Sequence, residues 1–318
     1  MARFLEFLIP FLVLLGGLVV AAGVLERSSA FDHSPGLRAL VWTIRLSIGF
    51  LVAAVIAVSI AYVVSNDRLR HRYDVPLPVF GIPNDVGSIA RGARFGQVRC
   101  TGCHGPDLGG QLLRDGFAVA RVVAPNLTRG LGGSGADYSD MELVRAIRHG
   151  VGRDGRALYD MPAAPYYDLS DADVAALVAW IRSKPPVATR VPPYRIHFWG
   201  RMRLAVGADR PDAAWMDHAR PRMATGIEGP TAAYGRYLAS TSCTACHDWE
   251  RDNQRMNAPA LAGAAGYTAE QFDRLVREGV AADGRSLGPA LPPHRFPAFT
   301  PDEVTALHLY LRTLTKGH

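Results

Sequence analysis

Cys100-Thr101-Gly102-Cys103-His104 and Cys243-Thr244-Ala245-Cys246-His247 together use all four cysteines of the chain. Cysteines three apart lie on one face of a helix, so both sulfurs can reach the two vinyl groups of one porphyrin. The histidine that follows can put an imidazole nitrogen on the iron. Cys-x-x-Cys-His is the attachment signature of c-type haem. Two other uses of Cys-x-x-Cys fit worse. A four-cysteine zinc site would have to unite halves far apart in the chain and would leave both histidines unexplained. A dithiol redox pair needs a βαβ setting, and the sequence offers none. The two motifs predict two covalently bound haem c.

The surroundings of the motifs repeat as well. Gly92 precedes Cys100 by eight residues and Gly235 precedes Cys243 by eight, with Phe95 and Leu238 three residues after each glycine. Each motif is followed by a proline loop, Ala124-Pro125-Asn126-Leu127 or Ala258-Pro259-Ala260-Leu261. Ser139 with Glu142, and Thr268 with Gln271, predict helices opened by capping boxes and closed at Gly150 and Gly279. Asp154-Gly155-Arg156 and Asp283-Gly284-Arg285 come next. A last helix closes each unit, one capped by Ser170 and one by Thr300 with Pro301 behind it. Trp180 and Tyr310 occupy equivalent places in these last helices and are expected to pack on the first helix near its glycine.

This order of haem motif, loop, helix, methionine-bearing loop and final helix resembles the class I cytochrome c fold, occurring in tandem. The resemblance covers residues 86–185 and 229–318. It implies a mainly α protein, with a Pro/Arg/aromatic connector at 186–228. The connector is too long for a tether and is expected to wrap one domain or to contact another subunit.

The second axial ligands differ between the copies. Met161, before Pro162, stands where the family places its distal methionine, so the resemblance implies His104 and Met161 on the first iron. In the second copy Pro292 aligns with Pro162 and puts Leu291, which cannot bind iron, at that position. His247 is then joined by His294, by Met256, by Met223 or by no protein ligand; His294 is the favoured reading. Arg156 and Arg285 either pair haem carboxylates or are solvated.

The chain has 318 residues, 48% of them hydrophobic and 20% charged, with a formal net charge of +6. No lysine/arginine tract of the nucleic-acid kind is present. The apolar excess gathers at the N-terminus, where 7–25 and 46–64 each have the length of a bilayer crossing. The first stretch also reads as a cleaved signal peptide. A single crossing, however, would leave the haem domains in the cytoplasm, whereas the resemblance implies haem attachment outside it. The expectation is a transmembrane hairpin over 1–65 and an extended linker over 66–85. Arg27 and Arg38 in the short loop, and Arg45 at the start of the second helix, would face the cytoplasm, an arrangement that Arg68, Arg70 and Arg72 oppose.

The expected function is a membrane-anchored dihaem electron carrier on the periplasmic face of the bacterial inner membrane. It would serve a respiratory or photosynthetic complex alongside other subunits or a soluble or membrane redox partner, with no nucleic acid and no substrate chemistry of its own. Two alternatives accompany it: a peroxidase-like enzyme using an open second haem, and the dihaem subunit of a cbb3-type oxidase.

Overall fold

The computed structural model describes residues 34–116, 118–252, 258–287 and 298–314, together with 16, 17, 19–21, 23, 24 and 27. The chain divides into two compact units, Met1–Asp67 and Arg68–His318.

Helix α1 (Pro35–Arg70) has 36 residues. Ser34 accepts the Leu37 N–H at 3.3 Å. Pro35 takes the first helical position, where a missing N–H is harmless, and Arg68 and Arg70 occupy the last turn, where cations suit the helix dipole. Among the described residues it is the one helix long and apolar enough to cross a membrane. The expected span 46–64 lies inside it. Of the expected span 7–25, only Gly16, Gly17, Val19, Val20, Ala21, Gly23 and Val24 are described, all helical; the rest lies outside the described residues. Arg38 is not in a loop between helices but within α1, because no breaker separates it from the apolar run, and Arg45 lies in the same helix.

The stretch 66–85 is not a free spacer. It is helical to Arg70. Beyond that, the Tyr73 N–H donates to the Gly155 carbonyl at 2.8 Å, and Val75 packs with Val151 and Ala213.

Two helical modules follow. In the first, α2 (Val86–Arg99) is capped by Asp85, α3 (Asp140–His149) opens with the Ser139/Glu142 capping box, and α4 (Asp171–Ser183) is capped by Ser170. In the second, α6 (Ala232–Ser242), α7 (Ala269–Glu278) and α8 (Pro301–Leu311) repeat the pattern, with capping boxes at Thr268/Gln271 and Thr300/Glu303. Gly150 and Gly279 end α3 and α7 in the left-handed conformation, at φ 62° and 70°.

The first and last helices of each module cross at a glycine. A Cβ on Gly92 would sit 1.9 Å from the Ala176 carbonyl oxygen, and one on Gly235 would sit 1.9 Å from that of Ala306. Trp180 and Tyr310 lie over these crossings, their Cβ atoms 2.9 Å from the same built positions. Both aromatics therefore belong to the packing, as expected from their places in the repeat.

A small sheet, which the sequence reading did not foresee, interrupts the helical pattern of the first module. Strands β1 (Gln111–Asp115) and β2 (Ala120–Ala124) are antiparallel, pairing Gln111 with Ala124 and Asp115 with Arg121 around an irregularity between Leu112 and Arg114. Ala120, Val122 and Ala124 alternate inward, the period of a half-buried strand. Strand β3 (Arg195–Ile196) adds to β2 from the connector.

The connector wraps the first module, and its helix α5 (Phe198–Ala205) follows β3 directly. The Asn126 side-chain amide donates to the Val187 carbonyl at 2.7 Å, the Tyr194 hydroxyl to Asp160 at 2.6 Å, and Arg220 grips Asp168 with two bonds of 2.9 and 2.8 Å. The Met223 amide is tied to Asp168 in the same region, at 2.8 Å.

The two modules share one hydrophobic core that runs from Phe95, Leu143 and Trp180 to Tyr237, Leu238, Phe272 and Leu307. Asp173, wholly buried, accepts from Arg91 at 2.6 Å and from the Tyr237 hydroxyl across the joint.

Candidate haem centres

Each motif is a helical turn grown from the end of the preceding helix. The Cys100 N–H still donates to the Gly96 carbonyl at 2.8 Å, as Cys243 does to Ala239 at 2.8 Å. His104 and His247 then donate their backbone N–H to the Cys100 and Cys243 carbonyls, both at 2.9 Å. Gly105, at φ 81°, turns the chain away.

The proline loops explain their own place in the repeat. Nδ1 of His104 lies 2.9 Å from the Pro125 carbonyl oxygen, and Nδ1 of His247 lies 2.7 Å from that of Pro259. With Nδ1–H donated to a carbonyl, Nε2 becomes the nitrogen for a metal, and the ring orientation is fixed. Burial lowers the pKa of His104 against the opposing pull of that bond, so the imidazole is held neutral, as a ligand must be.

A cavity of about 820 Å³ opens beside the first motif. Cys100, Cys103 and His104 line it together with Met161 and Pro162, between walls of Leu127, Leu143, Ile147, Leu177 and Ile181. Such a volume suits a cofactor, for which pockets of roughly 300–1,000 Å³ are usual. Arg153, Asp154, Arg156, Tyr159 and Tyr194 add polar groups to the lining. Burial pushes the Tyr159 phenol up to about 12. Two sulfurs, an oriented imidazole and a thioether around an apolar hollow are the donor set that haem c requires.

Among the described residues no group of three or more His, Cys, Asp or Glu is placed to hold an ion directly. The recurring Asp-Gly-Arg is a turn. Gly155 and Gly284 take φ 80° and 84°, while the Asp154 and Asp283 carboxylates accept the Arg156 and Arg285 N–H at 3.0 and 2.9 Å. Its recurrence thus has a backbone cause, and Arg156 in addition lines the cavity.

In the second module Leu291, Pro292, His294 and Met256 lie outside the described residues. His308 is structural: it is buried, its Nε2 is 2.8 Å from the Tyr267 carbonyl oxygen, and it stacks on Phe272. His149 has its Nδ1 3.0 Å from Nδ1 of His218 in the connector.

Sequence reasoning missed the residues that join the two motifs. Arg99, just before Cys100, donates to the Thr241 carbonyl and hydroxyl oxygens, both at 2.8 Å, and Thr241 stands two residues before Cys243. Tyr166 lines the cavity and donates its hydroxyl to the Arg99 carbonyl at 3.0 Å. Its phenol is pushed up by burial and then by the thiols of both motifs, Cys100 first and Cys103 and Cys246 after it. No periodicity or spacing points to such contacts between residues so far apart in the chain.

Several relatives are similar to this chain. The cytochrome subunit of fructose dehydrogenase from Gluconobacter japonicus is 25% identical over 273 residues, covering 71% of this chain and 52% of that protein. The gluconate 2-dehydrogenase cytochrome c subunit of Pantoea cypripedii is 32% identical, covering 55% of this chain and 40% of that protein. The cytochrome c subunit of a quinone-type alcohol dehydrogenase from Gluconobacter oxydans is 28% identical, covering 58% and 40%. The chain thus spans about half the length of the curated relatives it matches or less. The cytochrome c family model matches residues 89–185 and 232–315, the two helical modules around the two motifs, and the chain belongs to the cytochrome c family.

Proposed function

We propose that this chain is a membrane-anchored dihaem electron-transfer subunit. It would take single electrons from a dehydrogenase partner outside the cytoplasm and pass them to a membrane acceptor. The observation that carries this reading is the apolar cavity lined at once by Cys100, Cys103, His104 and Met161. The bound haem would supply the one-electron chemistry. Cys100 and Cys103 would hold it covalently. His104, steered by Pro125, and Met161 would hold the iron on its axis, while the apolar walls exclude water. Cys243, Cys246 and His247 would do the same in the second module, with His294 as the second axial ligand. The relatives supply the partner class, because each is named as a cytochrome subunit of a dehydrogenase. Helix α1 supports the anchor.

The test uses the full chain, matured with haem and purified. Two haems per chain by mass, two low-spin EPR signals, spectra indifferent to carbon monoxide, and reduction by a sugar or alcohol dehydrogenase in the presence of its substrate are expected. A haem that is high-spin and takes up carbon monoxide quickly would instead indicate an open, ligand-binding site, and would remove His294 as a ligand.

A further inference from the structure

Among the described residues, Arg99 is a buried charge with no carboxylate partner. It is 8% exposed, and its hydrogen bonds run to neutral oxygens: the carbonyls of Thr241 and Phe95 and the hydroxyl of Thr241. Its guanidinium also lies 4.6 Å from the centre of the Phe95 ring. No carboxylate stands within ion-pairing distance of it among the described residues. Burying a charge in this way is costly, and the neutral acceptors recover only part of the lost hydration.

The cation is placed to act on both modules. It ends α2 beside Cys100, lines the first cavity and bonds across the joint to Thr241. Burial pushes the Cys100 and Cys243 thiols up to about 12 and about 11, and at each the Arg99 charge opposes the push. The repeat does not duplicate it: the residue before Cys243 is Ser242, whose buried hydroxyl has no partner among the described residues. One cation therefore faces the attachment points of two haems. Thioether links would form at the vinyl edge of a porphyrin, the edge away from its two carboxylates, so a haem held by these cysteines would keep its carboxylates away from Arg99.

We propose that Arg99 is a positioning residue shared by both centres: a single unneutralised cation at the joint that sets the two attachment motifs against each other and holds both reduction potentials up together. The physical reason is Coulombic. The ferrous haem carries one positive charge less than the ferric, and a nearby cation in a low-dielectric interior favours it. The inference rests on the reading that both motifs carry haem. A haem count on the wild-type chain tests that reading separately, before any variant is made.

The experiment is spectroelectrochemical titration of the full holo-chain carrying Arg99→Gln, Arg99→Lys, Thr241→Val or Thr241→Asp. In Arg99→Gln the ferrous-to-ferric ratio of both haems at a fixed ambient potential is expected to fall about tenfold, which for a one-electron couple is about 59 mV. Arg99→Lys restores both waves. A shift confined to one wave, or no shift in either, overturns the proposal. Thr241→Val keeps the charge and removes one of its bonds, which separates charge from geometry. Both potentials are expected to stay at the wild-type values, and a shift of both in Thr241→Val would mean that geometry rather than charge sets them, which also overturns the proposal. Where Arg99→Gln loads no haem, Thr241→Asp, which sets a carboxylate beside the guanidinium, is expected to lower both waves in its place, and unmoved waves there overturn the proposal.

Discussion

Pro125 and Pro259 show how one backbone atom prepares a metal ligand. Their carbonyl oxygens sit 2.9 and 2.7 Å from Nδ1 of His104 and His247, so that a metal at either histidine would be met by Nε2. Met161 shares the first cavity with His104 and packs against the core. Replacing it with alanine is expected to lower the potential of one haem by on the order of 0.1 V, a fraction of the roughly 0.8 V that axial ligands span. The same variant should gain carbon monoxide binding at that haem alone. Potentiometry with optical detection checks both outcomes, and unchanged potentials with no carbon monoxide uptake would dismiss Met161 as a ligand.

Among the elements, the crossings of α2 with α4 and of α6 with α8 tolerate the least change. A methyl group at Gly92 or Gly235 would meet a carbonyl oxygen at 1.9 Å, so the helices must part. Gly92→Ala and Gly235→Ala are each expected to cost about 1–3 kcal/mol, the usual penalty for overpacking. Guanidinium unfolding followed by circular dichroism measures this, and a variant of wild-type midpoint would contradict the close approach. The end of α3 carries a pH effect. Burial, the nearby His218 ring and the Arg148, Arg222 and Arg145 charges lower the pKa of His149 to about 4, from an ordinary value of 6.5. The unfolded chain therefore binds a proton before the folded one does as the pH falls. Stability is full above 6.5 and declines as the pH drops through about 4. The ring is partly exposed, so the loss is on the order of 1 kcal/mol after discounting for solvent. His149→Gln should flatten that part of the stability–pH curve; an unchanged slope between the wild type and the variant would rule the residue out.

At the scale of the whole unit Arg68–His318, the two modules unfold as one body if their shared core and the Asp173 joint count for what the contacts suggest. Asp173 accepts from Arg91 at 2.6 Å and from Tyr237 of the other module, with no exposure to water. Asp173→Ala takes from Arg91 its buried carboxylate and leaves the outer one, Glu228. Breaking a buried pair in this way typically costs about 3–5 kcal/mol. We expect a lower unfolding midpoint and, because the lost bonds span the joint, separate transitions for the two modules. A single transition at the wild-type midpoint would show that the joint contributes little. The joint was not legible in the sequence. Arg91 pairs with a residue 82 positions away and Arg99 with one 142 positions away, and neither partner lies at a helical or strand spacing. The three-stranded sheet escaped notice for a similar reason: β3 joins β2 from the distant connector.

What the sequence determined by itself is local. The two Cys-x-x-Cys-His turns, the capping boxes, the glycine ends of α3 and α7 and the eight-residue interval from glycine to cysteine all follow from rules that act within a few residues. Each was readable because backbone geometry leaves few ways to satisfy a helix end or to bring two helices into contact. Tertiary structure alone decided that Pro125 and Pro259 orient the histidines, that the connector wraps the first module, and that Arg99 reaches from the first motif to Thr241 beside the second. These are long-range contacts made between folded elements, and side chains meet there by packing, which leaves no period in the chain.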